Sequence, residues 1–83
     1  MNDYYVTFRS LTAAQRGLAA CRVHGIAAAM LRTPAFLTSR GCSYCIRVSA
    51  DEIDRMSMVL RLEGVLYEHV FRLGGSRAEE VFL

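Results

Sequence analysis

The sequence predicts an α+β fold in which a four-stranded antiparallel sheet carries two helices on one face. Three observations lead there. The runs "YYVTFR" and "YCIRV" alternate apolar and polar residues with the two-residue period of half-buried strands. Two other stretches repeat apolar residues at three- and four-residue spacing, as amphipathic helices do. Each of these is closed by a glycine, Gly25 and Gly64, the residue that most readily takes the left-handed turn after a helix.

In residues 4–9, Val6 and Phe8 point one way and Thr7 and Arg9 the other, which makes the first strand. Ser10 or Thr12 then caps a helix whose buried face is Leu11, Ala14, Leu18 and Cys21. The alanines of "IAAAMLR", 26–32, favour helix, yet Gly25 before them and Pro34 after them leave room only for a second strand. Residues 33–43 form a loop. In "YCIRV", Tyr44, Ile46 and Val48 share one face and Cys45 and Arg47 the other. "SADE", 49–52, reads as a capping box, with Ser49 accepting from the third helical amide and Glu52 reaching back. Ile53, Met56, Val59 and Leu60 are the buried stripe of the second helix, and "VLYEHVFRL", 65–73, is the last strand. Residues 1–73 thus form one domain, and Gly74-Gly75 releases a tail over residues 74–83. With right-handed crossovers the order β-α-β-β-α-β is the ferredoxin-like arrangement.

Eighty-three residues suffice for one small domain that buries about 60–65% of its unfolded surface. A hydrophobic fraction of 53% is high for a lone chain of this size and suggests a well-filled core or an apolar face kept for a partner. The net charge of +2 does not by itself imply nucleic acid, although all ten basic residues are arginine. The strand carrying Cys45 lacks the aromatic-glycine signature of RNA-binding sheets, so no nucleic-acid partner is expected. No run of eighteen apolar residues offers a membrane span, and "MNDYYVTF" has no charged-then-apolar leader pattern. Three cysteines, an odd number without such a leader, point to a reducing cytoplasm.

The topology gives one of those cysteines a special position. The loop 33–43 falls at the end of the sheet where the first strand finishes, beside Arg9, Ser10 and the start of the first helix. Cys42 is therefore expected near a helix N-terminus, with Arg40 and Gly41 adjoining it in sequence. Such surroundings lower a thiol pKa and expose a thiolate.

Three readings of the cysteines compete. Cys21-x2-His24 and Cys42-x2-Cys45 imitate zinc-site spacing, but the second strand separates the pairs by about 20 Å, so no metal is expected. A redox pair of Cys42 and Cys45 meets the difficulty that extended residues three apart lie near 10 Å and face opposite ways; a turn or bulge at Ser43 would bring them together. The third reading has Cys42 as one exposed working thiol, with Cys45 on the open sheet face as a resolving or incidental partner. Against all three stands the plain possibility that both are ordinary small residues.

The segment "RTPAFLTSRGCSYCIRV", with Thr33, Pro34, Ser39, Gly41 and Cys42 in register, follows "VTFRSLTAAQRGL" and the Gly-Ile step of "HGIAAAML". In this order and spacing the chain resembles the selenium/sulfur carrier-like proteins, a family of small bacterial chains, over residues 4 to about 71. Two positions depart from the family pattern: Ala35 stands where an Arg usually follows the Thr-Pro, with Arg32 or Arg40 as substitutes, and Ser43 stands where a Gly follows the Cys. The resemblance implies that Cys42 carries sulfur or selenium as a persulfide or selenosulfide, with no other cofactor, exchanged between donor and acceptor proteins. In that reading Arg40, Gly41, Ser10 and Arg9 stabilise the negative charge, Thr33, Pro34 and Ser39 shape the loop, and Cys45 resolves the persulfide.

Elsewhere the sequence offers less chemistry. No phosphate loop, carboxylate pair or Ser-His-Asp set is present, so independent catalysis is not expected. His24 reads as a dipole-favoured helix cap and His69 as a sheet-surface residue. Met56 and Met58 read as core or rim, and Arg9, Arg47 and Arg72 as projections from the open sheet face near Thr7 and Cys45. A second functional class follows from that face: an interaction or regulatory module that forms a homodimer through its sheet or its apolar tail.

Overall fold

The computed structural model describes residues 3–34, 37, 44–74 and 77–83. Seven elements run in the order β1 (Asp3–Phe8), α1 (Leu11–Val23), β2 (Ala28–Arg32), β3 (Tyr44–Ser49), α2 (Ile53–Leu62), β4 (His69–Gly74) and β5 (Arg77–Val81). The α+β class and the two helices agree with the sequence reading. The strand count does not: the sheet has five strands, in the order β2-β3-β1-β4-β5, with every neighbouring pair antiparallel. The fifth strand comes from the stretch read as a tail. "RAEEV" lacks an apolar alternation, and β4 recruits it by pairing along its length, from Val70 opposite Val81 to Gly74 opposite Arg77.

Three local expectations also change. The last strand of the expected four starts at His69, because residues 65–68 carry no strand pairing. The capping box does not form. β3 runs on through Ser49, whose carbonyl, not its hydroxyl, accepts from the Glu52 amide at 3.0 Å. Glu52 caps α2 without a side-chain bond and instead holds Arg55 at 3.1 Å. Arg72 lies on the helix-facing side, because it pairs with Tyr4 while its neighbour Phe71 pairs with Tyr5.

The core follows from the strand alternation. Val6, Phe8, Ile46, Val48 and Val70 form its sheet side, and Ala14, Cys21, Ile53, Met56, Val59 and Leu60 its helix side. Met56 is fully buried while Met58 is 69% exposed, so only the first belongs to the core. Gly17 lets α1 seat directly on the sheet. A Cβ there would lie 2.9 Å from the Phe8 ring tip, closer than side chains tolerate, and in tight contact with Ile46 Cδ1 at 3.3 Å. Gly25 (φ 71) and Gly64 (φ 69) end the two helices in the left-handed region, as the sequence indicated. His24 caps α1 and meets Glu63 at 3.2 Å, and the Arg55 guanidinium donates to the His24 carbonyl, so the ends of α1 and α2 are tied together.

Candidate functional site

At the end of the sheet where β1 gives way to α1, the described residues bring the ends of three strands close to the start of a helix. Phe8, the last residue of β1, lies opposite Tyr44, the first of β3, and Tyr44 lies opposite Arg32, the last of β2. The Arg32 guanidinium sits 5.9 Å from the centre of the Tyr44 ring, a cation–π contact at that rim. Ser10 takes an extended conformation, and its hydroxyl accepts from the Ala13 amide at 3.1 Å, which makes it the N-cap. The first turn of α1 holds no acidic residue, so its positive end keeps its attraction for anions. Arg9 projects into solvent, 88% exposed, with Glu68 at 3.9 Å. Beside it a groove of about 410 Å³ runs along α1, lined by Arg9, Ser10, Ala13, Arg16, Leu66 and Tyr67 among others.

Cys45 departs from its expected setting. Its pairing with Thr7 and Leu31 puts it on the face opposite the helices, as the alternation predicted, yet it is fully buried. Thr33, just after β2, accounts for part of that cover. Thr33 is buried and its hydroxyl donates to the Cys45 sulfur, and Leu37 is buried outside the main core cluster. Burial pushes the Cys45 thiol pKa up; the Thr33 hydrogen bond and the nearby Arg47 charge pull it back only in part. On the same face Thr7 ties β1 to β4: its hydroxyl bridges the His69 amide and carbonyl at 3.1 and 3.3 Å.

Cys21 is sealed in the main core, as its helix position indicated. Burial, and to a lesser degree the Glu52 charge, raise its thiol pKa. Both cysteines are free thiols in apolar surroundings, which makes them inert relative to an exposed thiolate. Among the described residues no three His, Cys, Asp or Glu side chains converge as metal ligands would.

Of the residues proposed from sequence, Arg9, Ser10, Thr33, Pro34 and Cys45 are placed. The Pro34 carbonyl accepts from Leu37 at 2.9 Å in a short turn. Ser39, Arg40, Gly41 and Cys42 lie outside the described residues. Arg32 and Tyr44 form a contact that no local pattern announces, since they belong to different strands. Thr33 bonding to Cys45 was in principle readable: a residue before proline stays extended, so Thr33 continues the alternation of β2 onto the face of Cys45.

No described helix is long and apolar enough to cross a membrane. Comparison with family models matched residues 3–72 to a family described as "Putative Se/S carrier protein-like". No curated protein and no solved structure matched the chain.

Proposed function

The chain belongs to the Se/S carrier protein-like family, and from that premise we propose that it carries sulfur or selenium on Cys42 between a donor and an acceptor protein in the cytoplasm. One observation supports this reading above the others: Cys21 and Cys45 are both buried with raised thiol pKa values, so neither suits a carrier. The assignment falls to the third cysteine, whose neighbour two residues on, Tyr44, pairs with Phe8 beside the α1 N-cap.

The transfer is a thiol exchange. The Cys42 thiolate attacks the outer sulfur of a donor persulfide, the donor's S–S bond breaks, and the donor cysteine leaves as a thiolate while Cys42 takes the outer sulfur and becomes the persulfide. No net oxidation occurs, and an acceptor thiolate repeats the step in the other direction. Arg9, Arg40 and the amides at the start of α1 favour the attacking thiolate, and Gly41 allows close approach of a partner backbone. Arg32, held over Tyr44 at this rim, fills the place of the arginine that Ala35 lacks. Cys45 is a poor resolving thiol in this setting, because its thiolate is disfavoured. Delivery is therefore to a thiol of another protein.

The test is labelled-sulfur transfer from a cysteine desulfurase. Wild type and Cys45→Ser become labelled through a reductant-sensitive bond, whereas Cys42→Ala does not. Equal labelling of Cys42→Ala would remove the carrier role.

A further inference from the structure

The sheet face away from the helices carries a row of side chains whose order is self-complementary. The strand registers set Ala29, Arg47, Tyr5, Phe71 and Glu80 side by side across all five strands. Arg47 and Glu80 are exposed, Tyr5 and Phe71 half-buried. Arg47 makes no ion pair with a carboxylate among the described residues. The two charges flank the two aromatic rings, each one and a half strand spacings from the point midway between Tyr5 and Phe71.

We propose that a second copy of this chain docks on this face, related by a two-fold axis parallel to the strands and passing between Tyr5 and Phe71. That rotation reverses the row. Tyr5 of one copy then faces Phe71 of the other, and Arg47 faces Glu80, twice by symmetry. Neighbouring strands are about 4.8 Å apart, so each charge lies about 7 Å from the axis, and an arginine and a glutamate reaching from opposite sides together span the roughly 10 Å between stacked sheets. Rotation about an axis perpendicular to the strands would instead set Arg47 against Arg47, which the charges oppose.

The neighbouring rows are compatible with this arrangement. His69 holds Glu80 at 2.7 Å from within the same copy, which leaves the carboxylate's second oxygen for the incoming guanidinium. On the other side lie Asp3, Leu73 and Ala78, all partly buried. Thr33 already covers the Cys45 end, so contact centres on the Tyr5–Phe71 row and the row beyond it. A footprint about 19 Å wide and little more than two side-chain rows deep is smaller than a standard stable interface, so the dimer is weak and readily reversible. This inference does not depend on the carrier reading, because none of its residues belongs to the proposed thiol chemistry.

A charge swap tests it. In sedimentation across the micromolar range the wild type is a monomer–dimer mixture. Arg47→Glu and Glu80→Arg each weaken the dimer about tenfold or more by placing like charges in contact, and the double variant recovers to within about threefold of wild type. Thermal unfolding of each variant checks that the fold survives, and Arg47→Ala, which introduces no charge, weakens the dimer by a smaller step. A wild type that stays monomeric throughout, or a double variant no tighter than the single ones, overturns the proposal. So does a monomer whose Arg47 is needed instead for sedimentation with anionic vesicles.

Discussion

Thr33 donates a hydrogen bond to the sulfur of Cys45 on the side of the sheet that the helices leave bare. The contact joins the residue just after β2 to the second residue of β3, so it spans the base of the 33–43 loop. It also fixes what Cys45 can do: a thiol held neutral by burial neither attacks a persulfide nor reacts quickly with an alkylating agent.

In the folded protein, Cys21 and Cys45 are therefore expected to resist iodoacetamide at neutral pH and to react only after unfolding. Peptide mapping after timed alkylation checks this. Labelling of Cys45 at the rate of an unstructured thiol would show that the face is open.

The same burial links stability to alkaline pH. Both thiols have folded-state pKa values raised from an ordinary value of 9.0, so folding holds their protons more tightly than the unfolded chain does. The stabilisation is complete below that ordinary value and is lost as pH rises through the raised ones. Denaturant midpoints are expected to fall above pH 9.0, and Cys45→Ala is expected to fall less steeply over the same range. A flat wild-type profile there contradicts the assignment.

Gly17 and Phe8 form a coupled pair. Alanine is a better helix former than glycine by about 1 kcal/mol, yet the added Cβ of Gly17→Ala meets a fully buried ring, and overpacking costs typically about 1–3 kcal/mol. Gly17→Ala is expected to be net destabilising, and less so in a Phe8→Leu background, where the ring tip is gone. Additive effects of the two changes in chemical denaturation would mean that the ring yields freely.

The α1 cap gives a plainer expectation. Ser10→Ala removes the acceptor of the Ala13 amide and should cost about 1 kcal/mol by the same measurement. Ser10→Asp should recover most of it, since an anion suits that helix end.

Much of this architecture was legible in the sequence because two periods rarely conflict. Val6 and Phe8, Ile46 and Val48, and the Ile53–Leu60 stripe each declare a face, and Gly25 and Gly64 mark where helices stop. The errors arose where local chemistry admits two outcomes. Ser49 and Glu52 have the spacing of a capping box, but pairing of Ser49 with Asp3 keeps β3 extended and a turn separates it from α2. β5 could not be read from "RAEEV", because Arg72–Glu79 at 2.6 Å and His69–Glu80 at 2.7 Å supply charge contacts across strands that no single segment reveals. The burial of Cys45 was hidden for a similar reason. Alternation names a residue's face, while its cover includes Thr33, which lies beyond the end of β2.

β5 should accordingly contribute to stability. Val81 is partly buried against the core, so Val81→Asp is expected to cost about 1–2 kcal/mol. It should also replace the two-fold dimer by irregular higher-order association, because a loosened β5 displaces Glu80 and exposes the edge of β4. Unchanged unfolding and an unchanged sedimentation profile would show that the fifth strand adds nothing.

The strand order has a consequence for how the chain is made. β1 emerges from the ribosome first, yet it occupies the centre of the sheet between β3 and β4. Neither neighbour exists until much of the remaining polypeptide has been synthesised, and both pairings join segments far apart in sequence. The sheet can close around β1 only after β4 has been synthesised, and until then the central strand lacks one of its two companions, which makes early chaperone contact useful.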